Sequence, residues 1–227
     1  MSASAPLVTL TDPLSLAAEA YRTLRMNLQF ADGRDEFPRS VLLTSVGEPD
    51  HTAITAANLG IALAQVGHHV IVVDANLRGP SLHELFGAEN DSGLGTLLTS
   101  DEISPESVLR PTTVDGLSLL AAGPAVERPP DMLGSRRMDT ILEALASAAD
   151  IVLLACPRVM AMTDAAALAS KVEGVVLVTV SGKTHRDGAR AAIQRLRRMR
   201  ANILGAVLTD VPRHYIENQY SADMGTS

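Results

Sequence analysis

The chain has no tryptophan, a single cysteine, and aromatic residues at only 3% of its 227 positions. One cysteine, Cys156, excludes an internal disulfide and a cysteine metal cluster, and it suits a reducing compartment. No apolar run reaches the ~18 residues that mark a transmembrane helix, and the opening MSASAPLVTL has no basic segment of a secretory leader. Direct membrane insertion is therefore not expected. The six histidines show no metal-ligand spacing, so no metal site is expected. A net charge of −7 argues against wholesale nucleic-acid binding. Lysine is also scarce: the first in the chain is Lys171.

What remains is an aliphatic composition, 46% hydrophobic, in a chain long enough to bury one sizeable core. Residues 1–13 are rich in Ser, Ala and Pro and read as a flexible arm. Residues 14–212 read as one domain, and 213–227 as an irregular tail. Short continuous apolar runs begin near Val41, Val70, Leu117, Ile151, Val175 and Ile203, with helical patterns between them. Strands apolar on both faces and separated by helices predict an α/β fold, a doubly wound, mostly parallel sheet flanked by helices. Asp131 to Ala148 reads as one helix. Asp164 reads as the N-cap of another.

The stretch from Val41 to Pro80 is a strand–turn–helix–strand unit. Its turn stands where a phosphate-binding loop, G-x-x-x-x-G-K-[ST], would stand. Such a loop needs glycines for close backbone approach, a Lys for the β/γ-phosphates and a hydroxyl for Mg²⁺. Counted from Gly47, those three positions are Thr52, Ala53 and Ile54; registered from the helix, they are His51, Thr52 and Ala53. In both registers the second glycine, the lysine and the Mg²⁺ hydroxyl are missing. The helix N-terminus keeps unpaired N–H groups, so weak ATP or ADP binding stays open, with any role for Mg²⁺ undecided. No cofactor is otherwise expected. Cys156 reads as a small buried residue. Arg78 is free to pair with Asp74, and Arg158 with Asp74 or Asp50.

The motifs, taken together and in order, resemble the bacterial tyrosine kinases of capsular and exopolysaccharide synthesis, the CpsD/CapB-like group within the MinD/ParA branch of P-loop ATPases. SLAAEAYRTLRMNLQFA resembles the family's N-terminal E-x-x-R-x-x-R helix, matched by Glu19, Arg22 and Arg25. TAANLGIALAQVGHHVIVVDANLRGPSLHELFG, DSGLGTLL, LLAAGPAVERPPDMLGSRRM and VSGKTHRDGARAAIQRLRRMRANILGAVLTDVP continue the match to Asp210 and Pro212. The resemblance implies a P-loop NTPase fold and self-association through Glu19, Arg22 and Arg25. It also implies a nucleotide site at Gly47, Asp50, His51, Thr52, Ala53, Ile54, Arg158, Asp210 and Pro212.

The departures fall on the chemistry. The family's GEGKS corresponds to Pro49-Asp50-His51-Thr52-Ala53. Its D-x-D-x-R corresponds to Asp74, Asn76 and Arg78, and its D-T-P-P to Ala155-Cys156-Pro157-Arg158. Asn76 cannot act as a base. These losses fall on one transition state, where the groups act as a unit. The reading is a pseudokinase, a regulatory or scaffold protein of polysaccharide synthesis and export with vestigial Asp74, Asn76 and Arg78. The expected partners are a second copy, a membrane adaptor of the chain-length-determinant type or an active kinase homologue. No nucleic acid is expected. Its place is cytoplasmic, peripheral to the inner membrane through a partner. One alternative is an active kinase or ATPase with a divergent loop, phosphorylating Tyr215 or Tyr220. Another is a MinD/ParA-like positioning protein.

Overall fold

The computed structural model describes residues 7–31, 33, 36–212 and 215. Helix α1 (Val8–Thr11) leads to α2 (Leu16–Gln29), which Ser15 caps by accepting the Ala18 N–H. Strand β1 (Ser40–Ser45) and helix α3 (Thr52–Ala64) follow, then β2 (Val70–Asp74). Short helices α4 (Leu82–Phe86) and α5 (Leu94–Thr99) precede β3 (Arg110–Pro111) and β4 (Leu117–Leu120). Helices α6 (Pro129–Gly134) and α7 (Arg136–Ala148) lead to β5 (Ile151–Cys156) and α8 (Asp164–Ala169). Strand β6 (Gly174–Val180), helix α9 (Arg186–Arg198) and β7 (Ile203–Thr209) complete the order.

The seven strands form one sheet in the order β3-β4-β2-β5-β1-β6-β7. All neighbours are parallel except β3 against β4. Side chains along each strand alternate between two cores, as a pleated strand requires. Leu42, Val152, Leu154 and Leu177 face the layer containing α5, α7, α8 and α9. Val41, Leu43, Val72, Leu153 and Val178 face α3 and α2. That double burial is why the strands read as unbroken apolar runs.

Three local expectations change. The helix expected over 131–148 is two helices, because Ser135 accepts the Met138 N–H to cap a new start while its own hydroxyl donates to Met132 O. Asp164 is the first helical residue rather than the cap, which is Thr163. Within the expected N-terminal arm, Leu7, Val8 and Thr9 are buried. The Thr9 N–H donates to Asn58 Oδ1 at 2.9 Å, and Gln65 Nε2 donates back to Thr9 O. Tyr21 bonds Thr55, and Arg25 Nη1 donates to Ala62 O at 2.9 Å. Thr55, Asn58 and Ala62 of α3 and Gln65, which caps its end, recur at helical spacing, so one stripe holds both N-terminal helices.

Helix α5 packs closely on the 121–124 segment that follows β4. Leu94 and Gly95 donate their N–H groups to the carbonyls of Ala121 and Ala122 at 2.8 and 2.7 Å. A Cβ on Gly95 would stand 2.3 Å from Pro124 O, so only glycine fits there. No described helix is long and apolar enough to cross a membrane.

Candidate functional site

Parallel pairing sets the carboxyl ends of β1, β2, β5, β6 and β7 along one rim. Open α/β sheets hold their ligands there. From β1 the chain runs through Val46-Gly47-Glu48-Pro49-Asp50-His51 into α3, with a cis Glu48–Pro49 peptide. Asp50 Oδ1 accepts the Thr52 N–H at 2.9 Å. An acidic side chain thus occupies one of the open donors at the start of α3, the position an anion would use. Thr55 donates both its N–H and its hydroxyl to His51 O, at 3.0 and 2.7 Å. The hydroxyls of Ser45 and Thr52 are buried with no hydrogen-bond partner among the described residues.

His51 joins this loop to the end of β7. Its Nδ1 lies 2.9 Å from Thr209 Oγ1, and its Nε2 lies 3.8 Å from Asp210 Oδ2. Thr209 gives its hydroxyl proton to Thr179 O, which makes His51 Nδ1 the donor in the first contact. Asp210 holds a left-handed φ of 53°, and its side chain is exposed.

Asp74, at the end of β2, is 1% exposed. Oδ1 accepts the Asn76 N–H at 3.1 Å, and Oδ2 accepts those of Ser81 and Leu82 at 2.9 Å each. Burial pushes its carboxyl up from the usual carboxylate range, while those amides and the nearby His83 pull it back. Asn76 closes its own turn, donating from Nδ2 to Gly79 O and accepting the Gly79 N–H. Both side chains thus shape the 74–82 loop. Arg78 does not pair with Asp74, whose oxygens are committed to amides. Its Nε donates to Asp164 Oδ2 at 3.0 Å, and Asp164 is 1% exposed with Oδ1 unpartnered among the described residues. Arg158 pairs neither with Asp74 nor with Asp50, both already engaged, but with Glu48 at 2.8 Å.

Sequence reasoning missed Glu48, Asp164 and Thr209 as partners because each lies far along the chain from the residue it meets. It also overlooked Lys183. That residue sits in the loop after β6, on the same rim, exposed and without an ion pair among the described residues. Lys171 is spoken for, bridging Asp139 at 2.5 Å and Ser135 O at 3.2 Å. Cys156 is fully buried at the end of β5. Burial first, then the charges of Asp164, Asp50 and Asp74, push its thiol well above the ordinary range. It is no nucleophile at neutral pH.

The α2 candidates lie apart from this rim. Arg22 pairs with Glu19 and also donates to Pro13 O, and Arg25 is held by the far end of α3. The α2 ridge is therefore partly engaged within its own chain. Ala53 and Ile54 are half-buried in the first turn of α3, and Pro212 is exposed. Tyr215 is exposed, its N–H on Pro212 O; Tyr220 lies outside the described residues. No group of three or more His, Cys, Asp or Glu able to hold a metal occurs among the described residues.

Residues 52–209 match the family model ParA, described as NUBPL iron-transfer P-loop NTPase. The chain is 35% identical over 202 residues to the tyrosine-protein kinase YwqD of Bacillus subtilis, covering 89% of this chain and 84% of that one. It is 30% identical to the putative tyrosine-protein kinase CapB of Staphylococcus aureus, covering 93% and 92%. The crystal structure of the chimerical protein CapA2B2 superposes with a TM-score of 0.85 at 28% identity, covering 92% of this chain and 91% of that one.

Proposed function

The chain belongs to the bacterial tyrosine-kinase family of ParA-type P-loop NTPases, and from that premise we propose that it is a catalytically silent member. In this reading it is a regulatory or scaffold protein of capsular or exopolysaccharide synthesis. The observation that carries it is the Asp50 carboxylate on the Thr52 amide, at the start of the helix that should receive phosphate. The rim's other groups agree. Arg158 is neutralised by Glu48 and Arg78 by Asp164, while Asp74 and Asn76 serve their own loop. This donor set does not fit a magnesium nucleotide: the loop supplies a negative charge where the ligand brings its own, and no lysine.

A partner role then falls to surfaces rather than to chemistry. Self-association through Glu19, Arg22 and Arg25, and engagement of a membrane adaptor or an active homologue, belong to the same proposal. One observation favours a second reading, an active kinase with a divergent loop: among the described residues Lys183 has no ion pair and is the only lysine on the rim.

Calorimetric titration of the purified chain with ADP and ATP, with and without Mg²⁺, separates the two. No heat of binding up to about 1 mM nucleotide, equivalent to less than ~4 kcal/mol of affinity, is the expected result. Micromolar, Mg²⁺-dependent binding that K183A abolishes would overturn the silent reading, and phosphotyrosine at Tyr215 after incubation with Mg-ATP would do so directly.

A further inference from the structure

Strand β7 ends the sheet, and no strand pairs with its outer edge among the described residues. It is seven residues long, ILGAVLT, with no charge and no proline, and Gly205, Ala206 and Leu208 are exposed. Protein edges of that length normally carry a lysine, a proline or a covering element, because open N–H and C=O groups invite another strand. Here the neighbouring element is a basic helix. Helix α9 packs on β7 and on α8, with Ala192 and Leu196 buried. One flank, formed by Ala191, Arg195, Arg198 and Met199, shares a groove with Met160 and so lies on the α8 side. At ~100° per residue, Arg186, Arg190, Ile193 and Arg197 fall on the opposite flank, above the free edge. Arg186 and Arg197 have no ion pair among the described residues; Arg190 reaches only Asp187, at 3.6 Å and largely exposed. In a chain of net charge −7, this is a positive stripe whose one ion pair, Arg190 with Asp187, is long and solvent-exposed.

We propose that the β7 edge and the arginine flank of α9 form one docking site for an extended acidic segment of a partner protein, added as an eighth strand. The backbone pairs with β7, and every second side chain stands on the α9 face, recurring at ~6.6 Å. The rise from Arg186 to Arg190 is ~6 Å, close to one such repeat, and from Arg190 to Arg197 ~10.5 Å, between one repeat and two, so alternate Glu or Asp side chains run along the stripe, in register with its first two arginines. Charge selects this occupant. Antiparallel pairing with a second copy's β7 would bring two arginine stripes together on one face, where like charges repel. The site adjoins the rim at Thr209 and Arg186, but it does not depend on the loop's inactivity.

The test is fluorescence anisotropy of the full chain with a labelled octapeptide of alternating Val and Glu. Saturable binding is expected. Methylating the peptide nitrogens of alternate residues, in either phase, asks whether backbone pairing matters; one phase should weaken binding by about tenfold or more. The triple variant R186E/R190E/R197E should weaken it similarly, the worth of three exposed ion pairs, with an unchanged melting temperature showing that the fold is intact. Three results would overturn the proposal. The first is no binding at about 1 mM peptide, or equal binding of both methylated peptides. The second is a concentration-dependent dimer that Leu208→Lys abolishes, which gives the edge to a second copy. The third is co-flotation with phosphatidylserine vesicles that the triple variant loses, which gives the stripe to a membrane.

Discussion

Removing the Arg78 guanidinium leaves the Asp164 carboxylate buried without its partner. Asp164 is 1% exposed and its second oxygen is already unpartnered among the described residues. Breaking a buried ion pair from one side costs ~3–5 kcal/mol. Arg78 is 41% exposed, so water can approach from its side, and the expected loss for R78A drops to about 2–3 kcal/mol. D164A removes the buried charge and lets Arg78 turn to solvent, at about 1 kcal/mol. The double variant should lose only about 1–1.5 kcal/mol, a coupling near 2 kcal/mol. Urea unfolding of the four proteins measures this directly. In thermal melts, R78A should fall by roughly 5–10 °C for a domain of this size. If R78A costs less than about 0.5 kcal/mol, or if the double variant equals the sum of the singles, the pair is a surface contact and Arg78 is free for another role.

Further expectations concern packing, reactivity and pH. G95A places a methyl 2.3 Å from Pro124 O, and backbone cannot step aside cheaply. It should cost about 2–3 kcal/mol despite the ~1 kcal/mol of helix propensity that alanine adds; an unchanged urea midpoint would mean that α5 moves freely off the 121–124 segment. Native Cys156 should react with Ellman's reagent more than about a hundredfold slower than in 6 M guanidinium, and fast native labelling would contradict its burial. Asp150 accepts the His69 N–H at 2.8 Å, and that bond, with the nearby histidines, lowers its carboxyl. A depressed folded value means that the stabilisation is present above the unfolded value and fades as pH falls through the folded one. D150N should therefore melt slightly below the wild type at neutral pH, and the gap should close as acid protonates Asp150 in the folded protein, in parallel calorimetric scans. A gap that widens in acid would reverse the sign.

The sheet was legible because each strand is buried on both faces, so Val41–Leu43, Val70–Val73 and Val175–Val180 announce themselves as unbroken apolar runs. Strand β3 was not, since two residues, Arg110 and Pro111, carry no pattern. Helix α1 was hidden in a Ser- and Pro-rich opening whose order comes from Asn58, nearly fifty positions away. At the rim, residue types spoke plainly but pairings did not. Arg78 could be read as charged and near Asp74, yet its partner is set by where β5 and α8 bring Asp164, and nothing local encodes that. The same holds for Glu48 with Arg158. Lys183 was passed over because its place on the rim comes from strand order rather than from proximity in the chain.

Helix α3 begins at the Asp50–His51 loop and carries Thr55, Asn58 and Ala62 along one side, with Gln65 capping its end, each holding α1 or α2. It is thirteen residues long, about 20 Å at 1.5 Å per residue. The loop and the α2 ridge therefore rest on one support: the helix that opens at Asp50 also holds Arg25, through the Ala62 carbonyl near its other end.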